Sequence, residues 1–410
     1  MVHIKPFEVE QAHSNNHQWM DKYEVIPGVL NISETCAASI SIHDLIGLCE
    51  DPNIPPPLST STKLTYGSIR GSNSLRERLA SLYSARQPSP LRKESILITP
   101  GAIAANFLVF YALIKPGDHV ICTYPTYQQL YDVPASLGAD VSLWKLRAER
   151  DYIPDIRDLK ELVNDKTSLI IINNPNNPTG ATIPKPVLQD LVDFAKERNI
   201  TILSDEVYRP LFTGMSPADP KFPPSLINMG YENTIVTGSM SKAYSLAGIR
   251  VGWIASRSST LIEAIAAARD YTTISVSQLD DSVASYALSG SVLHSLLGRN
   301  IKLAKTNLEI LERFVDKHRG TISWVKPNGG TTALLKFMKR RGEKVDDVAM
   351  CIDVLEKTKV MLVPAGKCFG SEFGGMVRVG YVCETSVLEE ALGKLGIWIG
   401  EHLERCATID

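Results

Sequence analysis

Lys242 stands in the run GSMSKAYSLAGIRVGW, residues 238–253, directly behind a short apolar stretch that begins at Thr234. Its neighbours are Ser, Ala and Gly rather than the charges of an exposed helix face. An amine packed in this way is expected to be desolvated, which lowers its pKa toward neutrality and makes it a nucleophile. Ser239, Ser241 and Arg250 close by suit a phosphate. An ordinary loop lysine would look similar in isolation, so other residues must decide.

Three further groups follow apolar runs in the same manner. After Ser168–Ile172 comes NNPNNPTG, residues 173–180. Its two Asn-Pro steps force an irregular turn and hold amides, Asn177 among them, near the end of the run. After Ile200–Leu203 comes SDEVY, residues 204–208, with Asp205 and Tyr208. An Asp there also suits a helix cap. After Ile96–Thr99 comes Gly101-Ala102-Ile103 at the start of an apolar helix. Free amides at a helix start bind phosphate well, although a tight turn reads the same. Taken together, a lysine, an Asp, an Asn, a Tyr and a phosphate-type turn suit a phosphorylated aromatic aldehyde. The lysine forms an imine, the carboxylate keeps a pyridine nitrogen protonated, and the Asn and Tyr hydrogen-bond a phenolic oxygen. Pyridoxal phosphate needs this division of labour.

The elements that must position these groups alternate along the chain. Strands are expected at 96–99, 119–122, 140–144, 168–172, 200–203, 234–238 and 249–255. Helices are expected at 75–83, 102–113, 127–137, 156–163, 184–198 and 260–269. Several strands are continuous Val/Ile/Leu runs, which argues for a mainly parallel sheet covered on both faces. Ligands of such sheets sit at the strand C-terminal ends. Residues 1–45 read as irregular. A long amphipathic helix, 293–318, leads into a smaller α+β set of elements.

Composition bounds the function. The chain has 410 residues, 44% hydrophobic and 21% charged, and a net charge of -2. That length predicts more than one lobe. The charge implies no attraction to nucleic acid or anionic membrane. No apolar run spans a bilayer and no signal or transit pattern opens the chain, so a cytoplasmic location is expected. Seven cysteines, none in a CxxC, predict reduced thiols. His13 and His17 are four apart but lack a third ligand, so no metal is expected.

With these residues in view, the chain resembles the fold-type I, class I/II pyridoxal-phosphate aminotransferases and their lyase and cyclase relatives. The resemblance rests on YGSIRGSNSLRE (66–77), TPGAIAA (99–105), NNPNNPTG, SDEVY, SMSKAYSLAGIRVGW (239–253), PAGKCFG (364–370) and VRVGY (377–381), in that order. It implies an α/β large domain with a mostly parallel central sheet flanked by helices, and a smaller α+β domain. The boundaries expected are 1–45 for an N-terminal arm and part of the small domain, 46–290 for the large domain and 291–410 for the small C-terminal domain. It also implies a homodimer with shared active sites and a small amino-acid substrate.

By this resemblance Lys242 is the Schiff-base lysine and Asp205 the partner of the pyridine nitrogen. Asn177 and Tyr208 contact the ring oxygen, and Tyr124 stacks on the ring. Gly101, Ala102 and Ile103 form the phosphate turn, with Ser239 and Arg250 as phosphate side chains. Tyr66 reaches the neighbouring subunit's phosphate, and Arg378 clamps the substrate α-carboxylate.

Two places depart from the aminotransferase pattern. Where a Gly-x-Pro turn is usual on the substrate side, this chain reads LNISETCAASIS, residues 30–41, with Glu34. A solvated glutamate in a rearranged loop is the plain alternative to a substrate-facing one. Further on, NGGTTALL puts Thr331 and Thr332 where a bulky residue is common, which implies a smaller, more polar pocket. The main expectation is an aminotransferase for a free L-amino acid, acting through Lys242 and Cα deprotonation. The alternative is elimination, replacement or ring closure on the side chain by a lyase or cyclase of the same fold. A cofactor-binding regulator would need a fused DNA-binding domain, and composition offers none.

Overall fold

In a computed structural model, residues 15–85, 87–339 and 342–404 are described. The strands are β1 (Leu30–Asn31), β2 (Ile96–Thr99), β3 (His119–Tyr124), β4 (Asp140–Lys145), β5 (Thr167–Asn173), β6 (Thr201–Asp205), β7 (Thr234–Ser239), β8 (Gly252–Ser256), β9 (Ile322–Trp324), β10 (Thr332–Phe337), β11 (Val360–Met361), β12 (Val363–Pro364) and β13 (Met376–Gly380). Seven of them form one sheet in the order β2-β8-β7-β6-β5-β3-β4. The pairs from β7 through β6, β5 and β3 to β4 are parallel. Only β8 runs against its neighbours β7 and β2. The sheet is thus mixed and mostly parallel, as the unbroken apolar runs predict.

Those runs split by the period of two. Ile96, Ile98, Ile170, Ile172 and Ile202 enter one core, while Leu97, Leu169, Ile171, Leu203 and Ile235 enter the core on the opposite face. The first is closed by helices that include α3 (Asn73–Ser84) and α7 (Lys185–Glu197). The second is closed by α4 (Ala102–Leu113), α5 (Gln129–Ser136) and α8 (Ser259–Arg269).

A third core lies around the antiparallel sheet β12-β13-β10-β9 and includes apolar residues of α10 (Gly290–Lys317). Residues from the start of the chain belong to it. Trp19, Ile32 and Ala37 are buried there, β1 pairs in parallel with β11, and Trp19 Nε1 donates to Leu362 O at 2.8 Å.

Residues 15–45 are less irregular than expected. Helix α1 (Asn15–Tyr23) packs against α12 (Ala365–Phe369), and α2 (Ile42–Gly47) starts at a Ser41/Asp44 capping box, a readable signal. The strand expected at 249–255 begins only at Gly252, because Ala247–Ile249 is a 3-10 turn and Arg250 is left-handed at φ 50°. Helix α9 (Gln278–Ala287), capped by Ser277, was not expected from the sequence. His13 and Cys406 lie outside the described residues. Among the described residues no His, Cys, Asp and Glu gather as a metal site, and no helix is long and apolar enough to cross a membrane.

Candidate active site

Parallel strands in register bring their C-terminal residues to one level. Asn173 of β5 pairs with Asp205 of β6, and Asp205 with Thr237 of β7. Lys242 follows three residues after β7 ends. A cavity of about 360 Å³ opens there, lined by Ala102, Ile103, Asn106, Tyr127, Asn173, Asn177, Asp205, Tyr208, Ser239, Ser241, Lys242, Arg250 and Arg378. Ser33–Cys36, Met20 and Glu24 line its other side.

Asp205 is almost fully buried. Its carboxylate accepts from Asn106 Nδ2 at 3.0 Å and from Val207 N at 3.1 Å. Burial pushes its carboxyl up to about 6, against the pull of those two donors. No α-helix follows it, so the capping alternative fails. A buried carboxylate with a raised pKa at a strand end is built to receive a cationic partner. Sequence reasoning missed Asn106, whose Oδ1 accepts from Thr237 Oγ1 at 2.7 Å. The available signal was a lone amide inside the apolar run AIAANFLVF.

The amine of Lys242 donates to Thr35 Oγ1 at 2.6 Å and to Cys36 Sγ at 3.4 Å, and stands 3.7 Å from Glu34 Oε1. The expected drop toward neutrality is not what this geometry produces. Burial does push the amine down, but Cys36, Tyr208 and Glu34 outweigh it and the net shift is upward. Of these three, only Glu34 carries its charge at neutral pH, since burial raises the Cys36 thiol to about 11 and also raises the Tyr208 phenol. Burial would raise Glu34 too, yet Lys242 and the Thr35 amide hold it below the usual carboxylate range. The Glu34 side chain is half-exposed, and its Oε1 accepts from Thr35 N at 2.6 Å and Cys36 N at 3.1 Å.

Beside the Ser33–Cys36 segment, Arg378 of β13 is 2% exposed. Its Nη1 donates to Asn177 Oδ1 at 3.3 Å and its Nη2 to Ser33 O at 2.9 Å, while Nε has no partner. Burial lowers its pKa, but a guanidinium remains charged. An unpartnered buried N–H on a cation beside a cavity fits an incoming carboxylate.

At the far end lies an anion cradle. Gly101, at φ 85°, caps α4 without a side-chain bond, so the helix's first amides face outward. Arg250 Nη1 donates to Ala247 O at 2.9 Å and reaches Ser241 Oγ at 3.4 Å, and Ser239 Oγ lies 2.7 Å from Ser241 Oγ. A Cβ added at Gly101 would come within 2.6 Å of Arg250 Nη2. One added at Gly252 would come within 2.6 Å of Ala102 N. Both glycines therefore keep the cradle open. Amides, two serines and an arginine at one end, a buried carboxylate in the middle and an amine opposite fit a phosphorylated pyridine aldehyde.

Two expected placements need correction, that of Tyr124 and that of the Thr331–Thr332 pair. Tyr124 does not line the cavity: its ring packs against Tyr131 and Phe373, 5.8 and 5.6 Å between centroids. Tyr127, three residues on, has the cavity position. Thr331 and Thr332 are buried and are not among the residues lining this cavity either; Thr331 Oγ1 instead donates to Thr35 O at 2.7 Å. Tyr66 stands outside this cavity, 81% exposed, in a shallow depression with Gly67, Val276 and Gln278.

The segment that carries Glu34 is held as a strap. Gly380 N donates to Ile32 O at 2.8 Å, Ala37 N to Lys242 O at 3.1 Å and Ala38 N to Val382 O at 2.7 Å. The strap thus presents Ser33, Glu34, Thr35 and Cys36 to the amine. Of these four only Glu34 was singled out beforehand, because Ser, Thr and Cys in a loop carry no periodic signal.

The family model described as aminotransferase class I and II matches residues 54–395. The chain is 31% identical to an aspartate aminotransferase of Thermotoga maritima, over 81% of this chain and 83% of that one. It is 30% identical to capreomycidine synthase of Streptomyces vinaceus, over 85% and 86%. A solved PLP-dependent aminotransferase from Streptococcus suis 89-1591 superposes with a TM-score of 0.85 at 36% identity, covering 96% of this chain and 98% of that one.

Proposed function

This chain belongs to the aminotransferase class I and II family, and we propose that it is a pyridoxal-phosphate aminotransferase for a free L-amino acid. The observation that carries the reading is one cavity holding Lys242, Asp205, the α4–Arg250 cradle and Arg378 together. The cofactor, when bound, supplies an electron sink for the charge left at Cα. Ala102, Ile103, Ser239 and Arg250 would hold its phosphate, Gly101 shaping the turn, and Lys242 its aldehyde carbon. Asp205 would keep its charge against the ring nitrogen, Asn177 and Tyr208 would bond the ring oxygen, and Tyr127 would take the stacking place. Arg378 with Asn177 orients the substrate carboxylate. Lys242 Nζ then takes the proton from Cα and returns one.

We also propose a cytoplasmic homodimer with composite sites. Exposed Ile103, Phe107 and Tyr111 lie four apart on one face of α4, beginning at the cavity rim, and exposed Leu64, Tyr66 and Tyr271 add to the apolar surface. Such a surface on a soluble chain marks a contact, and Tyr66 would reach the partner's phosphate site. The proposed division at residues 45/46 and 290/291 is supported by the core around β9–β13, which Trp19, Ile32 and Ala37 enter and which Tyr124, Leu146, Tyr152 and Ala181 join from the large domain.

A second reading is side-chain elimination, replacement or ring closure. The strap favours it, since Glu34, Thr35 and Cys36 face Lys242 where aminotransferases usually have a Gly-x-Pro turn, and a synthase is as similar as an aminotransferase. Borohydride reduction of the loaded protein should fix the cofactor on the Lys242 peptide; label on another lysine sinks the assignment. Turnover of amino acids that requires an added keto acid supports transamination. Turnover without one moves the function to the second reading.

A further inference from the structure

The charged groups lining the cavity are Arg250, Lys242, Arg378, Asp205, Glu34 and Glu24. The function proposed above employs four of them. Arg250 answers a phosphate, Arg378 a carboxylate, Asp205 a ring cation, and Lys242 the aldehyde. Glu34 and Glu24 are left over. In the ligand-free chain Glu34 has Lys242 as its cation, at 3.7 Å. That amine is committed elsewhere once the cofactor is attached. Glu34 then loses the cation nearest to it, and Arg378, the other cation that acts on it, already donates to Asn177 Oδ1 and Ser33 O. Repulsion between Glu34 and Glu24 is already felt, because burial and then Glu34 raise the Glu24 carboxyl above its usual range.

A second feature points the same way. Ser33, next to Glu34 and fully buried, is one of the residues lining the cavity, and its hydroxyl has no hydrogen-bond partner. Buried hydroxyls without partners are rare and costly, and a ligand N–H would satisfy this one. Two carboxylates and an unsatisfied hydroxyl demand several donors and positive charge. Arg378 Nη2 donates to the Ser33 carbonyl, so the carboxylate clamp and this acidic wall are adjacent.

We infer that Glu34, Glu24 and Ser33 form the side-chain subsite, and that the substrate is an amino acid whose side chain ends in a guanidinium or ammonium group. The inference rests on the cofactor reading for the assignment of Lys242, and it names the substrate class of that same site. A dicarboxylic substrate is disfavoured by the same accounting, because every arginine lining the cavity already has a role. Glu34 Oε1 is held by the Thr35 and Cys36 amides, so the carboxylate is oriented before any ligand arrives.

The test is calorimetric binding of L-arginine, L-lysine, L-citrulline, L-norleucine and L-glutamate to the protein with and without pyridoxal phosphate. Citrulline keeps the shape of arginine and lacks its charge. A charge-assisted contact is worth roughly 1.5–3 kcal/mol, so arginine or lysine should bind the loaded protein about tenfold to a hundredfold more tightly than the neutral pair. Glu34→Gln and Glu24→Gln should each reduce that preference, and the double variant should abolish it. Glutamine keeps the acceptor for the Thr35 and Cys36 amides, so the strap should persist. Equal binding of arginine and citrulline, a preference for glutamate, or a preference that survives the double variant overturns the subsite. Borohydride labelling of Lys242 in the same preparation separates the outcomes. Its failure counts against the cofactor reading, whereas a labelled protein that prefers neutral amino acids counts against the subsite alone.

Discussion

The cavity has two walls of different construction. The back wall stands on the ends of β5, β6 and β7, where register fixes Asn173, Asp205 and Thr237 side by side. The front wall is a strap, residues 32–38, tied by separate hydrogen bonds to Thr331, Arg378, Gly380, Val382 and Lys242. A sheet places a side chain through many cooperative bonds, whereas a strap places it through a few separable ones. The back wall should therefore tolerate no change of chemistry and little change of position. The front wall can change its residues and, with them, the substrate.

The strongest way to break this contrast is at the amine itself. Lys242→Ala should reduce turnover below detection and abolish borohydride labelling, while phosphate and ring contacts still bind the cofactor. Residual turnover near the parent's would mean that the back wall is not the reactive one. Next in size is Asp205→Asn, which keeps the shape and removes the charge. Cα-proton exchange with solvent should slow by about two orders of magnitude or more, on the scale of a positioned group's contribution. A near-normal exchange rate would reduce Asp205 to a turn residue.

Asp205 also makes a prediction about stability. Its folded pKa, about 6, lies above the ordinary 3.8. The folded chain therefore holds this proton more tightly than the unfolded chain. The resulting stabilisation is complete below the unfolded value and is lost as pH rises from about 4 through 6. Two pKa units correspond to roughly 3 kcal/mol. The cofactor-free parent should lose melting temperature relative to Asp205→Asn across that window, and added pyridoxal phosphate should cancel the difference. Parallel pH profiles of the two proteins would show that the back wall stores no such penalty. The smallest effect belongs to the strap. Thr331→Val removes one buried bond to Thr35 O, worth about 1 kcal/mol. It should cost a few-fold in kcat/KM for the amino acid and leave cofactor affinity unchanged. A change in cofactor affinity instead would erase the distinction between the walls.

The same contrast decides what was legible in the sequence. Apolar runs ending in NNPNNPTG, SDEVY and GSMSK announce strand ends, and ligands gather at strand ends, so Asn177, Asp205, Tyr208 and Lys242 were placed before any coordinates. The fold was readable for the same reason, since Ile96–Thr99 and Thr167–Asn173 could hardly be anything but buried strands. Asn106 escaped because helix periodicity marks apolar faces and is silent on which polar atom reaches a carboxylate. Tyr124 was misplaced by three residues because only packing against Tyr131 and Phe373 decides which tyrosine turns inward. The strap was the least readable part. Its position depends on hydrogen bonds to residues some three hundred positions away, such as Thr331, and no local pattern encodes those. For the same reason the fall predicted for the Lys242 pKa gives way to a rise: Glu34 and Cys36 arrive only through tertiary contact.

The strap has a consequence for how the protein is made. Ser33 and Arg378 touch across 345 residues of chain. Synthesis at about 5–20 residues per second separates their appearance by roughly 20 to 70 s. During that interval β2–β8 can assemble and the anion cradle can form, but Trp19, Ile32 and Ala37 have no core to enter, because the strands they pack on have yet to be translated. The nascent chain therefore carries a half-built site and leaves Trp19, Ile32 and Ala37 exposed, and their segment docks as the last event. Chaperone capture of the first 40 residues, and competence to bind an amino acid only after β13 has left the ribosome, follow from that order of assembly.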